Sequence, residues 1–196
     1  GVAKIGLGFA FARAHHPSMR HVGPARALLG VPSVFNVLGP LAHPGRLKRQ
    51  VLGVSDARRA VQIADVVAGT DAELVWVVHG HDDLDELSLT GPAHVIEVRN
   101  GTQRSFTLDP SEFGFSIVEP TAIKGGTAAV NKVLAEEVFA GEPSANRDMV
   151  VLNAAAGLVV AGVVDDIRQG VELAASAIDD GGATTKLDDL IRHTNL

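Results

Sequence analysis

Leu74-Val-Trp-Val-Val78 runs directly into His79-Gly-His-Asp-Asp-Leu-Asp-Glu86. Five consecutive apolar residues, mostly β-branched, mark a strand covered on both faces. Gly80 and the charges after it end the strand abruptly. Four carboxylates follow within five positions: Asp82, Asp83, Asp85 and Glu86. In open α/β sheets, ligands bind beyond the carboxyl ends of the strands. This junction therefore anchors the fold and is also the first place to look for a site.

Working outward, Gln50 to Val54 is a short strand candidate. Ser55 or Asp56 can cap a following helix. Ala60, Ile63, Ala64, Val67 and Ala68 recur at helical spacing, and Gly69 is a natural stop. Downstream, Pro92–Val98 and Arg104–Leu108 flank Asn100-Gly101, a hairpin turn signal. A helix is expected from about Ala128 to Ala140, ended by Gly141 and Pro143. Met149 to Val164 contains one polar residue, Asn153. A membrane span needs about 20 apolar residues, so this shorter run reads as a buried core helix. Asp165 onward gives an amphipathic helix, and Leu187 to Ile191 a short terminal one. Strand and helix patterns alternate. The fold class expected is α/β, a mostly parallel sheet flanked by helices, with residues 1–196 as one domain.

Composition narrows the function classes. Hydrophobic residues make up 46% and aromatics only 4%, so the core must be aliphatic. The net charge is −6 and no run of Lys or Arg occurs, which argues against a nucleic-acid partner. There are no cysteines, which excludes disulfides and thiolate metal sites and is compatible with a reducing cytoplasm. Gly6-Leu-Gly8 lacks the third glycine of a dinucleotide fingerprint and reads as packing glycines. The chain opens on Gly1 with no basic-then-apolar leader pattern, as expected for a processed or truncated piece of a longer protein.

Hard carboxylate oxygens suit Mg²⁺, which takes one or two carboxylates plus substrate phosphates and waters. Asp85 and Glu86 are adjacent, so a bulge could turn both toward one metal. Spacing alone favours the plainer reading, a solvated acidic turn. His79 and His81 leave open a histidine-ligated metal, although the glycine between them favours a turn. The segment His15 to Pro44 gathers His15, His16, Arg20, His21 and Arg26. An arginine fork matches a carboxylate bidentately, so an arginine pocket here would select an anionic acid, with Pro32 and Pro40 stiffening its walls. Solvated arginines fit the same pattern.

Three ordered motifs carry a family resemblance: HHPSMRHVGPARALLG (residues 15–30), FNVLGPL (35–41) and VHGHDDLDELSLTGP (78–92), continued weakly by NAAAGLVVAG (153–162). Together they resemble the anthranilate phosphoribosyltransferases. The resemblance implies transfer of a phosphoribosyl group from phosphoribosyl pyrophosphate to the amino nitrogen of anthranilate, a step of tryptophan biosynthesis. It implies that Asp85 and Glu86 bind Mg²⁺ near the pyrophosphate, that Arg26 contacts the anthranilate carboxylate, and that His16 and Pro40 line the anthranilate route. It also implies a full-length homodimer; a cytoplasmic protein with no nucleic-acid or membrane partner is expected beside it, from the charge, the absence of cysteine and the shortness of the apolar run. The fold implied is that of the large domain shared with nucleoside phosphorylases. No general base is nominated, because positioning and electrostatics can carry such a reaction.

The departures matter too. The family's Gly-Thr-Gly-Gly-Asp phosphate loop, its Lys-His-Gly-Asn segment and a nearby magnesium-holding serine find no match in these 196 residues. His43 stands where Asn commonly precedes the proline, and Ala14 near a usual proline. The expectation is therefore a carboxyl-terminal portion with weak or no activity alone. A nucleoside phosphorylase-like enzyme and a non-catalytic binding paralogue are the alternatives.

Overall fold

The computed structural model describes residues 1–8, 28, 30, 41, 45 and 47–194. The chain divides into two compact units, Gly1–Leu47 with Asp188–Leu196, and Lys48–Leu187. In the first unit, Val2–Ile5 forms a helical turn closed by Gly6.

The second unit holds a four-stranded sheet in the order β1 (Arg49–Gly53), β2 (Leu74–His79), β3 (Ala93–Arg99) and β4 (Thr102–Leu108). β1 and β2 pair in parallel. They need a crossover, and helix α1 (Ala57–Ala68) supplies it. Asp56 caps α1, its Oδ1 accepting from the amides of Arg58 and Arg59 at 2.9 and 3.3 Å. The periodic face of Ala60, Ile63, Ala64 and Val67 is buried, and α1 packs on β2 and β3.

The α/β class holds, but the mostly parallel sheet does not among the described residues. β2 with β3 and β3 with β4 are both antiparallel. The reason lies in two connections. Asn100 and Gly101 take positive φ (48° and 80°), which closes a tight hairpin between β3 and β4. The acidic loop returns the chain beside β2 without a crossover helix.

Helices α2 (Ala128–Phe139), α3 (Ala145–Ala161) and α4 (Ile167–Asp179) follow. Thr127, Ser144 and Asp166 cap them through side-chain oxygens. The terminal helix, Gly182–Thr194, is longer than the Leu187–Ile191 expected. The apolar run is indeed the core helix: Leu152, Ala155, Ala156, Val159 and Val160 of α3 pack with Leu74, Trp76 and Val78 of β2. Its Val151 joins a second cluster with Val138 of α2 and with Ala174 and Ile178 of α4. Buried aliphatic side chains of this size contribute about 1.5–3 kcal/mol each, and β2 is buried from Leu74 to Val78. Among the described residues, no helix is long and apolar enough to cross a membrane.

Candidate functional site: the acidic loop beyond β2

β2 delivers the chain to the acidic loop at His79. A carbonyl only accepts, so His79 Nδ1 carries the hydrogen it shares with Val54 O at 2.8 Å. Its Nε2 then faces Asp83 Oδ1 at 3.5 Å. His81 to Asp83 form a distorted 3₁₀ turn in which Asp82 and Asp83 both take positive φ, 56° and 57°. The turn closes on itself through Gly80 N–H donating to Leu84 O at 2.8 Å.

Two glycines let the loop press onto the strand ends. A Cβ on Gly53, at the end of β1, would overlap the carbonyl oxygen of Asp85. A Cβ on Gly80 would overlap that of Glu86. The backbone of the acidic pair thus lies directly against β1 and β2, at the carboxyl end of their parallel pairing.

Past the pair, Leu87, Ser88, Leu89 and Thr90 are buried. Asn153 of α3 meets the chain there. Its Oδ1 accepts from Leu87 N–H at 3.0 Å, and its Nδ2 donates to Leu87 O at 2.8 Å and to Met149 O at 2.9 Å. Ser88 and Thr90 share a hydroxyl–hydroxyl bond of 2.9 Å.

The Asp85 and Glu86 side chains are exposed. Among the described residues, neither carboxylate has a hydrogen-bond or ion-pair partner. Partial desolvation, then the neighbouring Asp85 charge, push the Glu86 carboxyl above its ordinary pKa. Glu86 also borders a cavity of about 540 Å³ between α2 and α3, whose wall includes Asn131, Leu134, Met149, Val150 and Asn153.

Two adjacent hard-oxygen donors without an internal cation suit a metal shared with substrate. Among the described residues, no group of three or more His, Asp or Glu converges on one point. That donor set fits Mg²⁺, which commonly takes one or two carboxylates and completes its shell with phosphates and water. It does not fit an all-protein cage, nor the histidine-ligated alternative built on His79 and His81. His16, Arg26 and Pro40 lie outside the described residues. Sequence reading flagged Asn153 as the one polar residue in an apolar run but gave it no role, and it assigned none to Gly53.

Residues 1–184 match the model of the glycosyl transferase family, a/b domain. The chain is 45% identical over 194 residues to the anthranilate phosphoribosyltransferase of Bradyrhizobium diazoefficiens, covering 99% of this chain and 58% of that protein. It is likewise 45% identical over 190 residues to that of Afipia carboxidovorans, covering 97% and 56%. Among solved structures, the anthranilate phosphoribosyltransferase of Thermus thermophilus superposes with a TM-score of 0.88 at 38% identity, over 98% of this chain and 57% of that one. The Saccharomyces cerevisiae enzyme in complex with phosphoribosyl pyrophosphate and Mg superposes with a TM-score of 0.79 at 30% identity, over 88% and 50%. The chain spans little more than half the length of these relatives. With an acidic loop following β2 of an α/β sheet and a family match over residues 1–184, the chain belongs to the glycosyl transferase family through its a/b domain.

Proposed function

We propose that this chain carries the metal-binding portion of an anthranilate phosphoribosyltransferase site. In this reading, Asp85 and Glu86 hold Mg²⁺ against the pyrophosphate of phosphoribosyl pyrophosphate. The observation that carries the reading is the pair itself: two adjacent, unneutralised carboxylates at the carboxyl end of a parallel strand pair. Sequence identity of 45% to an anthranilate phosphoribosyltransferase over 99% of the chain supports it.

The reaction forms a bond from the anthranilate amino nitrogen to C1 of the ribose. The C1–O bond to pyrophosphate breaks, its electron pair leaves with the pyrophosphate oxygen, and the nitrogen gives up a proton. When bound, Mg²⁺ supplies Lewis-acid stabilisation of the charge that develops on the leaving group. The chain's own part is positional. Gly53 and Gly80 let the loop backbone seat on the strand ends, and the carboxylates hold their place beside the leaving group. Arg26 would pair with the anthranilate carboxylate, and His16 and Pro40 would line its path; all three rest on the family resemblance. A cytoplasmic protein, homodimeric at full length, belongs to the same proposal.

Calorimetry with Mg²⁺ and phosphoribosyl pyrophosphate tests it. Asp85→Asn and Glu86→Gln should weaken binding, and unchanged affinity would remove the metal assignment. In the complete protein, Arg26→Ala should raise the anthranilate KM, because losing one partner of a desolvated charge pair costs roughly 2–5 kcal/mol. An unaffected KM would take Arg26 out of the site.

A further inference from the structure

We infer that Asn153 is the positioning residue of the acidic pair. By gripping the backbone of Leu87 it sets the direction in which Asp85 and Glu86 present their carboxylates to a divalent cation. The inference rests on the metal reading above and adds to it a residue 66 positions away on another element.

Adjacent residues on an extended chain point to opposite faces. Asp85 and Glu86 can converge on one cation only if the backbone is turned locally and held there. Their like charges oppose that arrangement, so something must maintain it. The turn between Gly80 and Leu84 holds the upstream side, and the close approach of Gly53 to Asp85 holds the middle. The downstream side depends on Asn153.

The Asn153 amide bonds Leu87 at both its N–H and its C=O. A single hydrogen bond would leave the chain at Leu87 free to swivel; two from one planar amide, to the peptide groups on either side of its Cα, fix its orientation as well as its place. The third bond, from Nδ2 to Met149 O one helical turn earlier, fixes the amide against its own helix. Both hydrogens of the Asn153 amide are thereby used. Leu87 is 0% exposed, so its peptide groups have little water to turn to. Glu86 is covalently next to this clamp, and its side chain shares a cavity wall with Asn153. A leucine would serve packing better in an apolar helix. The amide brings desolvation cost, and its return is the geometry of the loop.

The test uses the purified chain near neutral pH with Mn²⁺ alone as the probe. Bound metal is counted by electron paramagnetic resonance, and exchange of the Leu87 amide hydrogen is followed in parallel. Four variants are compared with wild type: Asn153→Ala, Asn153→Gln, Val151→Ala and the double variant Asp85→Asn/Glu86→Gln. Loss of an outer-shell orienting group typically lowers metal affinity 10–100-fold. Asn153→Ala should fall by that factor, with faster exchange at Leu87. Val151 lies on the same helix, is 1% exposed and packs toward α2 and α4. Val151→Ala should lose stability but keep metal affinity and Leu87 protection.

Should Asn153→Ala fail to fold, Asn153→Gln carries the test: its amide is displaced by one methylene and should bind Mn²⁺ at least several-fold more weakly. Wild-type affinity in a folded Asn153 variant, with binding lost in the double variant, overturns the positioning role and leaves the metal reading intact. An equal loss in Val151→Ala overturns it too, as a general effect of destabilisation. A wild-type chain that binds no Mn²⁺, or a double variant that binds like wild type, sinks the metal reading and this inference with it.

Discussion

The carbonyl oxygen of Asp85 occupies the place where a side chain on Gly53 would begin. Two backbones that meet this way cannot separate without lifting the acidic loop from β1. Gly53→Ala should therefore lower stability by about 1–3 kcal/mol, as overpacked sites do. Gly157→Ala is the contrasting control, since nothing lies near its missing Cβ and it sits inside α3. Alanine there should stabilise by about 0.5–1 kcal/mol. Urea denaturation of the two variants checks both signs; a neutral Gly53→Ala would show that the loop stands away from the strand in solution.

Trp76 and Glu97 face each other across the β2–β3 ladder, and the indole Nε1 donates to Glu97 Oε2 at 2.9 Å. Burial pushes the Glu97 carboxyl up. The Trp76 bond and the guanidinium groups of Arg99 and Arg104, at 3.4 and 3.5 Å, outweigh it and hold the pKa below its ordinary value. The folded-state pKa thus lies under the unfolded one, near about 4.3 for glutamate. Glu97 contributes stability above that value, and the contribution disappears as pH falls through the folded pKa. Fluorescence of Trp76, the one tryptophan in the chain, should report a denaturation midpoint that drops with acidification below about pH 4.3. Glu97→Gln should flatten that slope, and an unchanged slope would assign the acid response to other carboxylates.

Asp83 holds a φ of 57° in the turn ahead of the acidic pair. Its side chain is 84% exposed, and its pairing with His79 at 3.5 Å is a surface interaction worth little. The left-handed backbone costs a typical side chain about 1–2 kcal/mol and glycine almost nothing. Asp83→Gly should be tolerated within about 0.5 kcal/mol, while Asp83→Val should lose about 1–2 kcal/mol. Equal thermal stabilities for the two variants would show that the turn adopts another backbone conformation.

Some of this protein was readable because its cues are local. The five-residue apolar run of β2 announces burial on both faces, because only a central strand can cover alternate side chains equally. Asp56 and Gly69 bracket α1, and Asn100-Gly101 marks a hairpin, because caps and turns depend on the conformational preferences of single residues. The acidic pair was equally visible as four carboxylates following that strand. What tertiary structure alone decided was the partner of each element. β2 pairs in parallel with β1 but antiparallel with β3, although its apolar run alone reads the same for either partner. The close seat of Asp85 on Gly53, and the grip of Asn153 on Leu87 from 66 residues away, are of the same kind. Sequence periodicity records which face of an element is apolar; which peptide groups a half-buried amide reaches is settled only when distant segments pack together.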